Sequence, residues 1–389
     1  MNPDTTACIA GAYEHPLRKA PNTSVSQLHA ECAKGALEDA GLTKDDIDGY
    51  FCAGDAPGAN VWSMANYMNL KQLRHIDSTD MGGCSYLVHV AHAAEAIALG
   101  KCNVALVTLA GRPNSEGSSG TQVRDRGANI PDAPFEMPYS PVTVNLYAMC
   151  AMRHMYQYGT TSEQLAWVKV AASHHAQHTP SAMLRNVVTV EEVVNSPMIS
   201  DPLHRLDCCV VSDGGGAVIV AKPEIARSLK RPLVKITGAG ESTKGQMGGN
   251  VDLTYSGAVW TGPRAFAEAG VKPSDIKYAS IYDSFTITVI MQLEDLGFCK
   301  KGEGGKFVAD GNLISGVGKL PFNTDGGGLC NNHPANRGGM TKILEAIRQL
   351  RGEAHPAVQV KNCDIALAHG TGGALGHRHG SATLIMERE

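Results

Sequence analysis

The chain of 389 residues repeats itself. Residues 36–54 read ALEDAGLTKDDIDGYFCAG and residues 265–283 read AFAEAGVKPSDIKYASIYD. Both carry the end of an amphipathic helix, a glycine where that helix stops, a short acidic turn with Asp-Ile, and then a strand. A second pair follows in the same order. Residues 82–111 open on Gly-Gly-Cys, run through a helix and end in NVALVTLAG; residues 338–373 open on Gly-Gly-Met, run through TKILEAIRQL and end in DIALAHGTGG. Strands alternating with helices at this spacing predict parallel sheets with crossover helices. Two matched pairs in matched order predict two similar α/β halves about a pseudo-twofold axis.

Residues 112–205 interrupt the repeat. They are rich in Pro, Ser, Met and Tyr, with helical runs around 142–158 and 162–178. Long insertions at one end of an α/β core often cover an active site. Residues 206–222, LDCCVVSDGGGAVIVAK, then supply the last strand of the first half. The expected organisation is an N-terminal half (1–111 with 206–228), an inserted loop domain (112–205) and a C-terminal half (229–389).

Composition narrows the function. A formal net charge of -4 offers no basic stripe for phosphates, so no nucleic-acid partner is expected. No apolar run approaches the ~20 residues that span a bilayer. Met1–Ala10 lacks the basic start and apolar stretch of a signal peptide. Eleven cysteines, an odd number, suit free thiols in a reducing compartment, and the expected location is the cytoplasm.

Four places could carry chemistry. Cys84 follows Gly82-Gly83 and opens a helix, where the dipole favours a thiolate nucleophile; the bland alternative is a small buried core residue. His333 lies in NTDGGGLCNNHPANRGGM (323–340), a Gly- and Asn-rich loop in which His-Pro has a fixed backbone and an imidazole free to act as base or oxyanion donor. Tyr282-Asp283-Ser284-Phe285 ends a strand, where active sites of parallel α/β sheets lie. Tyr282 or Ser284 could shuttle protons, while Asp283 as a helix cap and Phe285 as core read as structural. His369-Gly370-Thr371-Gly372-Gly373 ends another strand, and its glycines expose backbone N–H groups that could form an oxyanion hole. His174, His175 and His178 share a helix, and His377 and His379 lie close together. No His-Glu-x-x-His or Cys-x-x-Cys pattern accompanies them, so no metal is expected. Gly-x-Ser-x-Gly, phosphate-loop and Rossmann patterns are missing as well.

The segments ALEDAGLTKDDIDGYF, GGCS with NVALV, YAMCAMRHMYQYGTTSEQLAWVKV, SHHAQHTPSAMLRNVVTVEEVVNSPMISDPL, DCCVVSDGGGAVIV, YDSF, NHPANRGG and HGTGG occur in order along nearly the whole chain. Together they resemble the thiolase superfamily, especially its sterol-carrier-protein type. The resemblance implies a duplicated five-layer α-β-α-β-α fold, a tight dimer, coenzyme A as co-substrate and no bound cofactor. It also implies roles. Cys84 attacks the ketone carbon of a 3-oxoacyl-CoA, His333 helps activate Cys84 and polarises a thioester oxygen, and backbone N–H groups of Cys84 and the Gly372-Gly373 region form the second oxyanion hole.

The chain departs from the family at two motifs. Tyr282-Asp283-Ser284-Phe285 stands where relatives have His-Asp-Cys-Phe or Asn-Glu-Ala-Phe. Ser284 and His369-Gly370 stand where a second, acid/base cysteine is needed, and of these His369 titrates in the useful range. Tyr282 resembles the tyrosine of a thiolase-like branch that performs retro-aldol cleavage. The resemblance extends to thiolase subunits that pair with a small OB-fold subunit bearing a zinc ribbon and act on bulky aromatic or branched esters such as benzoylsuccinyl-CoA. The first expectation is therefore a thiolase working through Cys84. The alternatives are a retro-aldolase on a 3-hydroxyacyl-CoA and a non-catalytic acyl-CoA-binding subunit.

Overall fold

The computed structural model describes residues 6–118, 142–245, 251–334, 337–374 and 377–389. The strands are β1 (Cys8–Glu14), β2 (Gly49–Phe51), β3 (His75–Asp77), β4 (Val104–Gly111), β5 (Met198–Ser200), β6 (Leu203–His204), β7 (Gly214–Ala221), β8 (Val234–Lys244), β9 (Tyr278–Ile281), β10 (Ile365–Ala374) and β11 (His377–Arg388). The longer helices among the described residues are α1 (Val25–Ala40), α2 (Val61–Met68), α3 (Ser85–Ala98), α4 (Thr143–Tyr158), α5 (Ser162–Ala176), α6 (Ala258–Ala269), α7 (Thr286–Asp295) and α8 (Gly339–Arg351). The helical runs expected in the insertion are α4 and α5.

Nine strands form one sheet in the order β3-β2-β4-β7-β1-β8-β11-β10-β9, and β5 and β6 form a separate hairpin. The duplication is written into that order. From edge to centre the first half runs β3-β2-β4-β7-β1 and the second β9-β10-β11-β8, so β2-β4-β7-β1 matches β9-β10-β11-β8. The echoed strands are parallel in both halves, Gly49 opposite Ala105 and Tyr278 opposite Ala366. The halves meet where β1 and β8 pair antiparallel, Cys8 opposite Lys235, as a twofold relation requires.

The sheet is mixed rather than parallel, which corrects the sequence expectation. β7 runs antiparallel to β4 and β1, and β11 antiparallel to β10 and β8. Every residue of β7 is buried. A strand covered on both faces is a continuous apolar run whichever way it points, so its direction leaves no mark in the sequence.

The echoed turns match in detail. Gly41 ends α1 at φ 71°, ψ 28° and Gly270 ends α6 at φ 72°, ψ 26°. This left-handed conformation suits glycine, and it lets the next N–H reach back: Leu42 to the Leu37 carbonyl at 2.9 Å, Val271 to the Phe266 carbonyl at 3.0 Å. The acidic turns then close alike, with Asp46 accepting the Thr43 N–H and Asp275 the Lys272 N–H, each at 2.8 Å.

Strand alternation separates three cores. Leu106 and Ile219 face α1 and α2. Val107, Val218, Ala368 and Leu384 face the opposite way, onto Leu87 and Val90 of α3 and Ile343 and Ile347 of α8. Leu367 and Ile385 face a third core with α4, α5, α6 and α7. Both α3 and α8 touch strands of both halves, so they are the middle layer of an α-β-α-β-α stack. A middle helix is covered on all sides, so its side chains are apolar or, as with Lys342 of α8, paired. In α3 this holds for Leu87, Val88, Val90 and Ile97, each of whose burial is worth ~1.5–3 kcal/mol. Among the described residues no helix is long and apolar enough to cross a membrane.

Candidate active site

The two middle helices begin at the same place. The one-turn helix Gly82–Cys84 leads into α3, and Gly338-Gly339 lead into α8. Glycines let these backbones touch. A Cβ on Gly339 would overlap the Gly83 carbonyl oxygen, and one on Gly372 would overlap that of Met81 and lie 2.8 Å from the Gly83 nitrogen. Cβ atoms on Gly370 and Gly380 would lie 3.3 Å from Cys84 Cβ and 3.1 Å from Cys84 Sγ. The ends of β10 and β11 are thereby pressed against the Cys84 turn.

Cys84 is fully buried and donates to the Met81 carbonyl at 3.2 Å. Burial pushes its thiol up to about 12. The position at a helix start is as expected, yet the resting residue is a thiol rather than a thiolate. A helix end offers at most ~2 kcal/mol to an anion, and complete desolvation outweighs it.

Tyr282 emerges from β9 with its backbone N–H on the His369 carbonyl at 3.0 Å. Its hydroxyl accepts the Gly338 N–H at 2.9 Å and lies 3.1 Å from His333 Nε2. The two rings meet edge to face, 5.6 Å between centroids. The same hydroxyl fills the space a Gly83 side chain would need, beside Cys84. With one lone pair taken by Gly338, its proton is free to point at the imidazole. Burial raises the phenol well above its usual value, so it rests neutral. Cys84, Tyr282, His333, Gly372 and Gly373 are therefore brought together.

Ser284 and His369 are placed elsewhere. Ser284 Oγ pairs with Thr288 Oγ1 at 3.2 Å along α7. His369 Nδ1 pairs with Thr383 Oγ1 at 2.8 Å on the face of β10 away from Cys84, and burial lowers its imidazole to about 3. Gly370, one residue on, is what faces the Cys84 backbone and Cβ. Asp283 is structural, though not as the cap of α7. It accepts the Gly328 and Leu329 N–H groups at 2.9 and 3.1 Å and pairs with buried Lys342 at 2.8 Å. Phe285 is core.

Residues 239–388 match the family of thiolase C-terminal domain-like proteins. The steroid side-chain-cleaving aldolase of Thermomonospora curvata is 36% identical over 363 residues, covering 89% of this chain and 90% of that protein. The chain belongs to the thiolase superfamily. The benzoylsuccinyl-CoA thiolase subunit BbsB of Thauera aromatica is 32% identical, covering 78% of this chain and 82% of that protein. The solved Ltp2-ChsH2(DUF35) aldolase superposes with a TM-score of 0.88 at 33% identity, covering 99% of this chain and 98% of that one. The family and the thiolase name of BbsB agree with an acyl-CoA acyltransferase.

Two features of this thiolase site escaped the sequence reading. Arg337 pairs with Asp55 at 2.7 Å and with Asp80 at 2.7 and 3.0 Å, and donates to the Gly82 carbonyl at 3.3 Å. It ties the Cys84 turn to the His333 loop, and an arginine among the glycines of NHPANRGG was the available signal. Tyr147 of α4 packs on Phe285, rings tilted and 4.3 Å between centroids, which sets the insertion against the start of α7; nothing local marked it. Two histidines of the insertion, His175 and His178, have contacts of their own. His175 Nε2 accepts the Ser315 N–H at 2.9 Å, and His178 stacks on His355 at 4.9 Å. The side chain of His377 lies outside the described residues. Among the described residues no three such side chains are grouped to hold a metal ion.

Proposed function

We propose that the chain cleaves a bulky 3-oxoacyl-CoA with free CoA through a thioester on Cys84, with Tyr282 in place of the second catalytic cysteine. The observation that carries this reading is the Tyr282 hydroxyl, held against Gly83 beside Cys84 and 3.1 Å from His333 Nε2. The Cys84 proton passes by way of that hydroxyl to His333, and the thiolate adds to the 3-oxo carbon. The Cα–Cβ bond breaks and its electron pair forms the enolate of the departing CoA ester. Tyr282 protonates the enolate carbon and recovers a proton from His333. The thiol of CoA then takes the acyl group and returns a proton to Cys84. Backbone N–H groups at Cys84 and the Gly372-Gly373 region hold the developing oxyanion.

The names of the relatives, which include steroid side chains and benzoylsuccinyl-CoA, support an aromatic or branched acyl group. The ChsH2(DUF35) partner of the solved relative and the subunit status of BbsB support a small OB-fold, zinc-ribbon partner. Exposed Trp62 and Ile76 beside the open edge of β3 support a homodimer core. The proposed compartment is the cytoplasm.

One observation favours a second reading. A thiol held at about 12 beside a Tyr–His pair suits a retro-aldolase that leaves Cys84 unused, and two of the relatives are called aldolases. Intact-protein mass spectrometry with 3-oxoacyl-CoA esters, free CoA omitted, separates them. An acyl adduct on Cys84 supports thiolysis. Full activity of Cys84→Ser on a 3-hydroxyacyl-CoA refutes it.

A further inference from the structure

His333 follows the one-turn helix Gly327–Cys330 and lies outside every strand, so no ladder holds its backbone. A chain of side chains that reaches into the other half of the molecule holds it instead. The His333 N–H donates to Ser212 Oγ at 2.8 Å, and Ser212 lies in a parallel bridge with Pro334. Ser212 Oγ donates to Asn332 Oδ1 at 2.6 Å, and Asn332 Nδ2 donates to Glu14 Oε1 at 2.8 Å. Glu14 is the last residue of β1 and stands opposite Gly216 of β7, two central strands of the first half. Arg18 reaches Glu14 Oε1 at 2.8 Å and Arg348 reaches Glu14 Oε2 at 3.0 Å; Arg18 also donates to Asn331 Oδ1 at 3.0 Å.

The polarity of this chain admits one arrangement. A carboxylate only accepts, so Asn332 must turn its NH₂ toward Glu14 and its oxygen toward Ser212. That oxygen takes the single Ser212 proton, and the Ser212 lone pairs are left for the His333 N–H. Burial would raise the Glu14 carboxyl, but the guanidiniums of Arg18 and Arg348 and the Asn332 amide hold it below its usual value, so it stays an anion. Ser212, Asn331 and Asn332 are fully buried, so water does not compete for these bonds. Proline at 334 then restricts the backbone on the other side of His333.

We infer that Glu14, Asn332 and Ser212 are positioning residues that set the His333 imidazole against the Tyr282 hydroxyl. The reading rests on the part in proton transfer proposed above for His333. A catalytic group displaced by ~1 Å can cost on the order of 10²-fold in rate. Because Ser212 and Asn332 are fully buried and act through His333, loss of the relay lowers kcat and leaves KM unchanged.

The test compares the full chain with Ser212→Ala, Ser212→Thr, His333→Ala and the Ser212→Ala/His333→Ala double variant, each checked for folding by its thermal transition. The expected result is a fall in kcat of about 10²-fold for Ser212→Ala at constant KM, recovery in Ser212→Thr, and no further loss when Ser212→Ala is added to His333→Ala. An equal loss in the His333→Ala background, or a change confined to KM, overturns the inference. Asn332→Ser breaks the relay one step away and replaces Ser212→Ala if that variant does not fold. Crystal structures of the wild type and Ser212→Ala decide the question without substrate. The inference expects His333 Nε2 to leave hydrogen-bond distance of Tyr282, and an unmoved pair overturns it. If the wild type turns over no 3-oxoacyl-CoA, the functional reading fails, and the crystallographic comparison still decides the positioning role.

Discussion

The hydroxyl of Tyr282 lies 3.1 Å from Nε2 of His333, and the same oxygen accepts the Gly338 N–H at 2.9 Å. One atom thus joins the end of β9, the His333 loop and the start of α8, next to the Cys84 turn. A neutral phenol there can give a proton to a carbanion, and a nearby imidazole can restore it.

Tyr282→Phe keeps the ring and removes the hydroxyl. The variant is expected to fold and bind CoA ester normally while kcat falls by about 10²–10⁴-fold. Steady-state kinetics on a 3-oxoacyl-CoA check this, and a loss below tenfold removes Tyr282 from the proton path.

Cys84 gives a pH signature. Its folded value, about 12, lies above the ordinary 9.0 because burial penalises the thiolate. The free enzyme therefore reacts slowly with iodoacetamide at neutral pH, and the Cys84 rate climbs past pH 9 without a plateau. The sign for stability follows: the protonated form favours folding, so this contribution is complete below pH 9 and is lost as pH rises from 9 toward 12. A plateau in alkylation near pH 7 contradicts the buried-thiol description.

Gly372→Ala forces a methyl group into the Met81 carbonyl. The expected cost is about 3 kcal/mol, with loss of activity, because backbone on both sides must shift. Gly41→Ala is the control. It meets nothing within 4 Å but sits at φ +71°, and about 1 kcal/mol is expected. Thermal denaturation of both variants measures the difference, and equal costs would falsify the close approach of β10 to the Cys84 turn.

Four buried histidines make the fold acid-sensitive. Burial lowers His29, His89 and His175 to about 4 and His369 to about 3, below the ordinary 6.5. Each depressed value favours the neutral folded form. That stability is present above pH 6.5 and disappears as pH falls toward 4 and 3. Denaturant midpoints measured from pH 7 to pH 4 should fall steadily, and a flat profile rules out neutral burial of these side chains.

Much of the site was legible in local sequence. The glycine before an acidic turn marked Gly41 and Gly270, and both occupy the left-handed region that the motif needs. Gly82-Gly83-Cys84 at the head of a helix, His-Pro in a glycine-rich loop and Tyr282 at the end of a strand marked the three groups that meet. Ser284 and His369 stayed open as acid/base candidates because proximity in sequence says nothing about which face of a strand a residue occupies. A one-residue step decides it: Gly370 faces Cys84, and His369 faces Thr383.

Short-range rules of backbone conformation and periodicity act over a few residues, so the sequence carried the duplicated units, their turns and the place of Cys84 at a helix start. Strand direction in the mixed sheet was not legible, and the Asp283–Lys342 pair, the Arg337 clamp and the Asn332–Glu14 bond of the relay join residues 59 to 318 positions apart. Such partners are selected by packing in three dimensions. The protonation of Cys84 belongs to the same class, because the desolvation that holds it as a thiol comes from strands and helices of both halves closing over one sulfur atom.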